Sequence, residues 1–213
     1  MSEHVSAKSL HVKKCRESLH RDFADLQSPD RIDAILDDSL AQVDRTTAFD
    51  DYVPALAERL ARERLKAAAQ SEGTLAKDAP EVVFVALHDT GRGQMAAAIM
   101  RALAGGRVSV HSAGTSIARE QVDSGVAEAM REIGIDVHEA YSKPLTPEVL
   151  AAADVIVTMG RSTGIVEIPP GIRHHDWRIG DPGGAPLEEV RLIRDDIRGR
   201  VERLLTELAP PSG

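Results

Sequence analysis

Val82-Val83-Phe84-Val85-Ala86-Leu87, then His88-Asp89-Thr90-Gly91-Arg92-Gly93, then Gln94-Met95-Ala96-Ala97-Ala98-Ile99-Met100: the rest of the chain can be read outward from this stretch. The first six residues are a continuous apolar run rich in β-branched side chains, the pattern of a strand buried on both faces. The last seven open a segment, Gln94 to Ala104, made of good helix formers. Between strand and helix lies a short loop containing glycine. In open α/β sheets such a loop sits at the carboxyl end of the strands, where ligands bind. Its backbone N–H groups and the start of the following helix form a natural anion site. Leu87, His88, Asp89, Thr90, Gly91, Arg92 and Gly93 are therefore the candidate ligand-binding residues. Arg92 can add a two-pronged guanidinium contact to a tetrahedral oxyanion. On spacing alone, a plain turn with a surface arginine fits equally well.

Downstream the chain keeps alternating. Arg107 to His111 is expected as a second strand. Val122 to Ile133 is expected as a helix stopped at Gly134, and Thr146 to Ala153 as a short helix beginning near Pro147. Val155 to Met159 reads as another buried strand and Leu187 to Leu208 as a long closing helix. This alternation predicts a doubly wound parallel sheet. Upstream only helices are visible. Val12, Cys15, Leu19, Phe23 and Leu26 form one apolar stripe, and Ile32, Ile35, Leu36, Leu40 and Val43 a second. Ser28 caps that second helix, with Pro29 at its first position. Asp50 or Asp51 is expected to cap a third helix carrying Tyr52, Val53, Leu56, Leu60 and Leu65. A three-helix bundle over residues 1–73 is thus expected, then a linker from Ser71 to Pro80, then an α/β domain over residues 80–210.

Composition narrows the function. The 213 residues are 42% hydrophobic and 28% charged, an ordinary globular balance. The formal net charge of −8 disfavours nucleic acid, which needs clustered cations. No apolar run is long enough for a membrane span, and the polar start carries no leader pattern, so a cytoplasmic location is expected. Cys15 is the single cysteine; on its apolar stripe it reads as a small core residue rather than a redox sensor. His174 and His175, with Asp176, suggest a metal pair. Neighbouring side chains on a strand face opposite ways, however, so no metal is expected. No cofactor is implied.

Several segments together resemble the low-molecular-weight protein tyrosine phosphatase family, and more closely its arsenate reductases of the mycothiol-using, actinobacterial kind. That family carries a cysteine, five residues, then arginine and serine. Arg92 matches the arginine, His88 and Gly91 stand in family-like places, and Gln94 to Ala97 continue the match. His111-Ser112-Ala113-Gly114-Thr115, Lys143-Pro144-Leu145-Thr146 and Val157-Thr158-Met159-Gly160 resemble other family signatures. Asp181-Pro182 resembles the turn that holds the general acid. The resemblance implies a four-stranded parallel sheet of the phosphotyrosine protein phosphatase I type. The helices before it are similar to a small bundle found ahead of this domain in some actinobacterial relatives.

The departures from that pattern matter most. Ala86 stands at the position of the nucleophilic cysteine, Gly93 at that of the serine that activates it, and Asp89 where asparagine is usual. Residues 160–164, Gly-Arg-Ser-Thr-Gly, lack the cysteine many of the reductases carry there. A methyl group cannot be a nucleophile, so Arg92 and Asp181 are expected to be vestigial catalytic positions. Three losses around one site argue for a retired catalyst acting as a binding or regulatory module. The alternative is a cysteine-independent enzyme acting on an oxyanion, or on an organic acid ester, in the same cleft. Arg92 would hold the anion, and His88, Asp89 or Asp181 would do the acid–base work. The expected partners are a small oxyanion (phosphate, sulfate or arsenate), bound weakly if at all, and a second copy or another protein on the bundle's surface. Asp89 decides the anion question. Pointing into the loop it repels the ligand, and paired with Arg92 it fills the site. Turned to solvent, it leaves the loop usable.

Overall fold

A computed structural model describes residues 7–46, 50–116, 122–137, 141–160 and 166–209. The chain divides into two compact units, residues 1–76 and 77–213. The expected cysteine-free stretch after Gly160 lies, at residues 161–164, outside the described residues. Among the described residues, no helix is long and apolar enough to cross a membrane.

The first unit holds three helices: α1 (Ala7–Phe23), α2 (Pro29–Thr46) and α3 (Val53–Ser71). Their stripes meet in a core of Leu19, Phe23, Ile32, Ile35, Leu36, Ala61 and Leu65, continued by Val43, Val53, Ala57 and Leu60. Burying each such aliphatic or aromatic side chain contributes roughly 1.5–3 kcal/mol. Ser28 does cap α2: its hydroxyl accepts the N–H of Arg31 at 3.4 Å. The expected aspartate cap of α3 does not form. Asp50 to Tyr52 make a 3₁₀ turn instead, Tyr52 takes the cap position without a side-chain bond, and Pro54 lies in the first turn. Asp50 and Asp51 are part of the turn, and neither occupies the cap position. Cys15 is buried, its Sγ 3.7 Å from the Pro54 carbonyl. Burial, with the Glu58 carboxylate nearby, pushes its thiol up to about 11, so it carries no reactive thiolate.

The second unit is a four-stranded, all-parallel sheet in the order β2-β1-β3-β4. The strands are β1 (Glu81–Ala86), β2 (Ser109–Gly114), β3 (Val155–Met159) and β4 (Arg173–Trp177). The helices are α4 (Arg92–Ala104), α5 (Ser124–Glu132), α6 (Pro147–Ala152) and α7 (Leu187–Leu208). Every residue of β1 and β3 is buried, as a strand covered on both faces requires. Val82 and Phe84 share a core with Met95, Met100, Met130, Val157, Ile197 and Val201, which lie on the sheet and on α4, α5 and α7. Phe84 and Trp177 add a tilted ring pair with centroids 5.7 Å apart.

Two boundaries differ from the sequence reading in ways that bear on the site. The second strand lies over Ser109–Gly114 rather than Arg107–His111, because its pairing with β1 runs from Glu81↔Ser109 to Ala86↔Gly114. Helix α4 begins at Arg92, two residues earlier than expected, so the arginine belongs to its first turn.

Candidate functional site

The site lies at the carboxyl ends of β1, β2 and β3. Strand pairing sets Ala86 beside Gly114, and Val85 beside Thr158. From Ala86 the chain crosses Leu87 to Gly91 and enters α4. The loop carbonyls are tied to their surroundings: Ala86 O accepts from Thr115 N (3.0 Å), Leu87 O from Ser116 N (2.8 Å) and Thr90 O from Asp123 N (3.2 Å). His88 O accepts from the Ser142 hydroxyl at 2.5 Å. Among the described residues no acceptor takes the backbone N–H groups of His88 to Gly93. With several loop carbonyls bound elsewhere, those N–H groups lie at a helix start, an arrangement of the kind that can receive an anion.

Asp89 shapes the loop. It has φ 53°, a left-handed conformation that aspartate and asparagine adopt more readily than other non-glycine residues. Its side chain is fully buried. It follows none of the three courses weighed from the sequence. It does not pair with Arg92, does not reach solvent, and tucks beneath the loop. There Oδ2 accepts from Gln94 Nε2 (2.9 Å), Ser112 Oγ (3.2 Å) and Lys143 N (3.3 Å). Gln94 also donates to the Tyr141 carbonyl (3.0 Å), fastening α4 to the segment before Lys143. Burial pushes the Asp89 carboxyl up to about 7; the Lys143 ammonium and backbone N–H and the Ser112 hydroxyl oppose that shift by favouring the ion. Oδ1 is buried without a hydrogen-bond partner. A Cβ placed on Gly93 would lie 2.8 Å from this oxygen and 3.6 Å from the Ala86 methyl.

Arg92 is buried and held away from Asp89. Its Nη1 donates to the Ile179 carbonyl (3.1 Å), and its Nη2 lies 3.6 Å from Asp181 Oδ2. The flat guanidinium rests against Gly160, where a Cβ would come within 2.3 Å of Nη1; φ there is +91°, so glycine suits both the conformation and the contact. Asp181 is exposed at the rim, and its Oδ1 accepts from Gly183 N in a local turn. Pro182 sits over Gly91, with a Cβ there 2.8 Å from its ring. The structure thus gathers Ala86, the Leu87–Gly93 loop and Asp181 in one place. It adds Gln94, Ser112, Lys143 and Gly160, which the sequence reading placed inside motifs without giving them roles, and Ser142, which it did not single out. His174 and His175 stay apart from this site. His174 Nε2 meets the Thr158 hydroxyl at 3.0 Å, while Nε2 of His175 is buried elsewhere. No cluster of metal-binding side chains occurs among the described residues.

Residues 81–211 match the low molecular weight phosphotyrosine protein phosphatase family. The chain belongs to this family. Residues 12–69 match the N-terminal domain of protein-tyrosine-phosphatase-like proteins. Among solved members, a thioredoxin-dependent arsenate reductase of Corynebacterium glutamicum is 31% identical, with a TM-score of 0.82 over 92% of this chain and 96% of that one. An arsenate reductase in a phosphate-binding state is 29% identical, with a TM-score of 0.55 over 61% of this chain and 99% of its own. A glutaredoxin arsenate reductase of Synechocystis is 31% identical over 61% of this chain and 98% of its own length. In this family setting, the phosphatase-type loop of the chain ends its strand with a methyl group.

Proposed function

We propose that this chain is a non-catalytic member of the family that binds a tetrahedral oxyanion in the Leu87–Gly93 loop and acts as a binding or regulatory module. The observation that carries the reading is a division within one loop. The anion-holding parts are the N–H groups of His88 to Gly93, which no acceptor among the described residues takes, and the Arg92 guanidinium, which Asp89 does not touch and which lies 3.6 Å from the exposed Asp181 carboxylate at the rim. The covalent part is a methyl, at Ala86, with no thiol elsewhere in the second unit. Loss of the nucleophile alone costs roughly a millionfold in turnover in a serine protease. The sequence left weak or absent anion binding as the expectation. Burial of Asp89 beneath the loop supports retained binding instead, because its charge is neutralised in part and kept out of the arginine's reach. A similar protein is known in a phosphate-binding state, which favours the same use of the loop here.

Asp181 beside Arg92 keeps a second reading in view, in which the rim aspartate serves acid–base chemistry on a bound ester. One assay divides the two. The receptor reading expects no p-nitrophenyl phosphate hydrolysis and no thiol-dependent arsenate reduction above a buffer blank, together with a phosphate-dependent rise in melting temperature. Turnover that disappears in Arg92→Ala would establish the second reading and remove the first.

A further inference from the structure

The candidate anion loop encloses an ionisable group of its own. Asp89 lies within the Leu87–Gly93 span, and its side chain is fully buried. Oδ2 takes donors from Gln94, Ser112 and the Lys143 backbone, whereas Oδ1 is screened from solvent with no donor at all. A proton on Oδ1 removes the charge that this oxygen would otherwise share without a partner, while Oδ2 keeps its three donors. The carboxyl also lies close behind the loop backbone. A Cβ on Gly93 would stand 2.8 Å from Oδ1, and a Cβ is bonded about 1.5 Å from its Cα, so Oδ1 is within about 4.3 Å of Gly93 Cα. An anion held by the loop N–H groups therefore has the Asp89 charge a few ångströms behind it. Like charges repel several-fold more strongly through a protein than through water.

We propose that anion binding in this loop is coupled to a proton on Asp89: the chain takes up its anion with the carboxyl neutral and releases it when the carboxyl ionises. The proposal rests on the receptor reading of the loop and adds regulation by pH to it. No contact between ion and carboxyl is required, because the coupling acts through charge alone. The groups around Asp89 set its balance. From α4, Gln94 donates to Oδ2 and the Arg101 charge favours the ion. From β2 the Ser112 hydroxyl does the same, as do the Lys143 backbone N–H and ammonium from the segment before α6. β1 ends in the Ala86 methyl, and its one charged residue, Glu81, lies at the opposite end of the strand in contact with His111. Arg92 is turned to Ile179 and Asp181, and His88 is the other titratable side chain of the loop. Burial outweighs the opposing groups and holds the carboxyl at about 7. As pH rises through that value the free chain loses the proton, so affinity falls, and a bound anion holds the proton to higher pH.

Titration calorimetry on the full chain with sodium sulfate tests the proposal, because sulfate keeps its double charge near neutral pH and only the protein titrates. At matched ionic strength, sulfate should bind roughly ten- to a hundredfold more weakly at about pH 8.5 than at about pH 6. At about pH 7.5, heats measured in two buffers of different ionisation enthalpy should reveal proton uptake on binding. In Asp89→Asn, of nearly the same shape, the decline should shrink to less than about threefold, the remainder being the share of His88. Ser112→Ala removes a donor that favours the ion, so its decline should move to higher pH. Equal affinity of the wild-type chain at the two pH values would overturn this proposal and leave the receptor reading standing. An undiminished decline in Asp89→Asn would overturn the role of Asp89. If that variant does not fold, Ser112→Ala decides, and a decline at an unmoved pH overturns the same role. Binding of neither sulfate nor phosphate at about pH 6 would overturn both readings.

Discussion

Replacing Asp89 with asparagine should make the second unit more stable as pH rises, by an amount set by the buried carboxyl. In the folded chain this group keeps its proton up to about 7, against 3.8 for an ordinary aspartate. Between those values the folded state binds more protons than the unfolded state. Stability is therefore complete at the acid end, falls as pH rises through the window, and levels off above about 7. A shift of about three units at about 1.4 kcal/mol each makes the loss on the order of 4 kcal/mol. Asparagine has no such titration. The stability difference between variant and wild type should thus be near zero at about pH 4 and grow to a few kcal/mol at about pH 8. The unpartnered Oδ1 position exists in both proteins, as do all other titrating groups, so their contributions largely cancel in the comparison. Trp177, the only tryptophan and part of β4, reports unfolding of this unit by fluorescence in urea. Parallel stability curves from pH 4 to 8, within about 1 kcal/mol, would refute the buried-carboxyl argument.

Other expectations follow from the same contacts. Ala86→Cys alone should not yield measurable phosphatase activity, because Gly93 offers no hydroxyl to the thiol and Asp89 adds a nearby acceptor; turnover above blank in that single variant would count against it. Gly160→Ala should both destabilise the second unit, by roughly 1–3 kcal/mol for a left-handed alanine, and weaken phosphate binding, since its methyl must displace the guanidinium; denaturation and calorimetry read the two effects separately. Asp123→Ala should cost about 1 kcal/mol, because that carboxylate caps α5 through the N–H groups of Gly125 and Val126; an unchanged urea midpoint would show the cap to be dispensable.

Much of the fold was legible because the central strands and the long helices carry strong periodic signals. Val155–Met159 and Leu187–Leu208 have the boundaries the pattern suggests. β2 was placed too early because its second half is Ser112-Ala113-Gly114, small residues with little strand character. Their smallness answers to the loop instead, since a Cβ on Gly114 would come within 3.0 Å of the His88 backbone. β4, Arg173 to Trp177, is an edge strand with a polar face, and it lacks the apolar run that exposes a central strand to inspection. At the site, Ala86, Arg92 and Asp181 were visible as positions in a pattern. The orientation of Asp89 was not. It depends on donors from Ser112 and Lys143, 23 and 54 residues further along the chain, which meet only after the sheet has formed.

The contact between Gly93 and Asp89 also bears on how such a site could change over generations. A cysteine regained at 86 gains nothing while its neighbour is a carboxylate. A serine regained at 93 brings its Cβ to 2.8 Å from Oδ1, a crowding that the rigidly held carboxyl must relieve by moving. Asparagine at 89 is the one of the three steps that relieves a buried charge without adding bulk. If the chain is the non-catalytic member proposed above, a return to chemistry would have an uneven path, open first at a residue that never touches the reacting bond. Each other first step costs stability or supplies no activity, and a population can drift around such a barrier for a long time without crossing it.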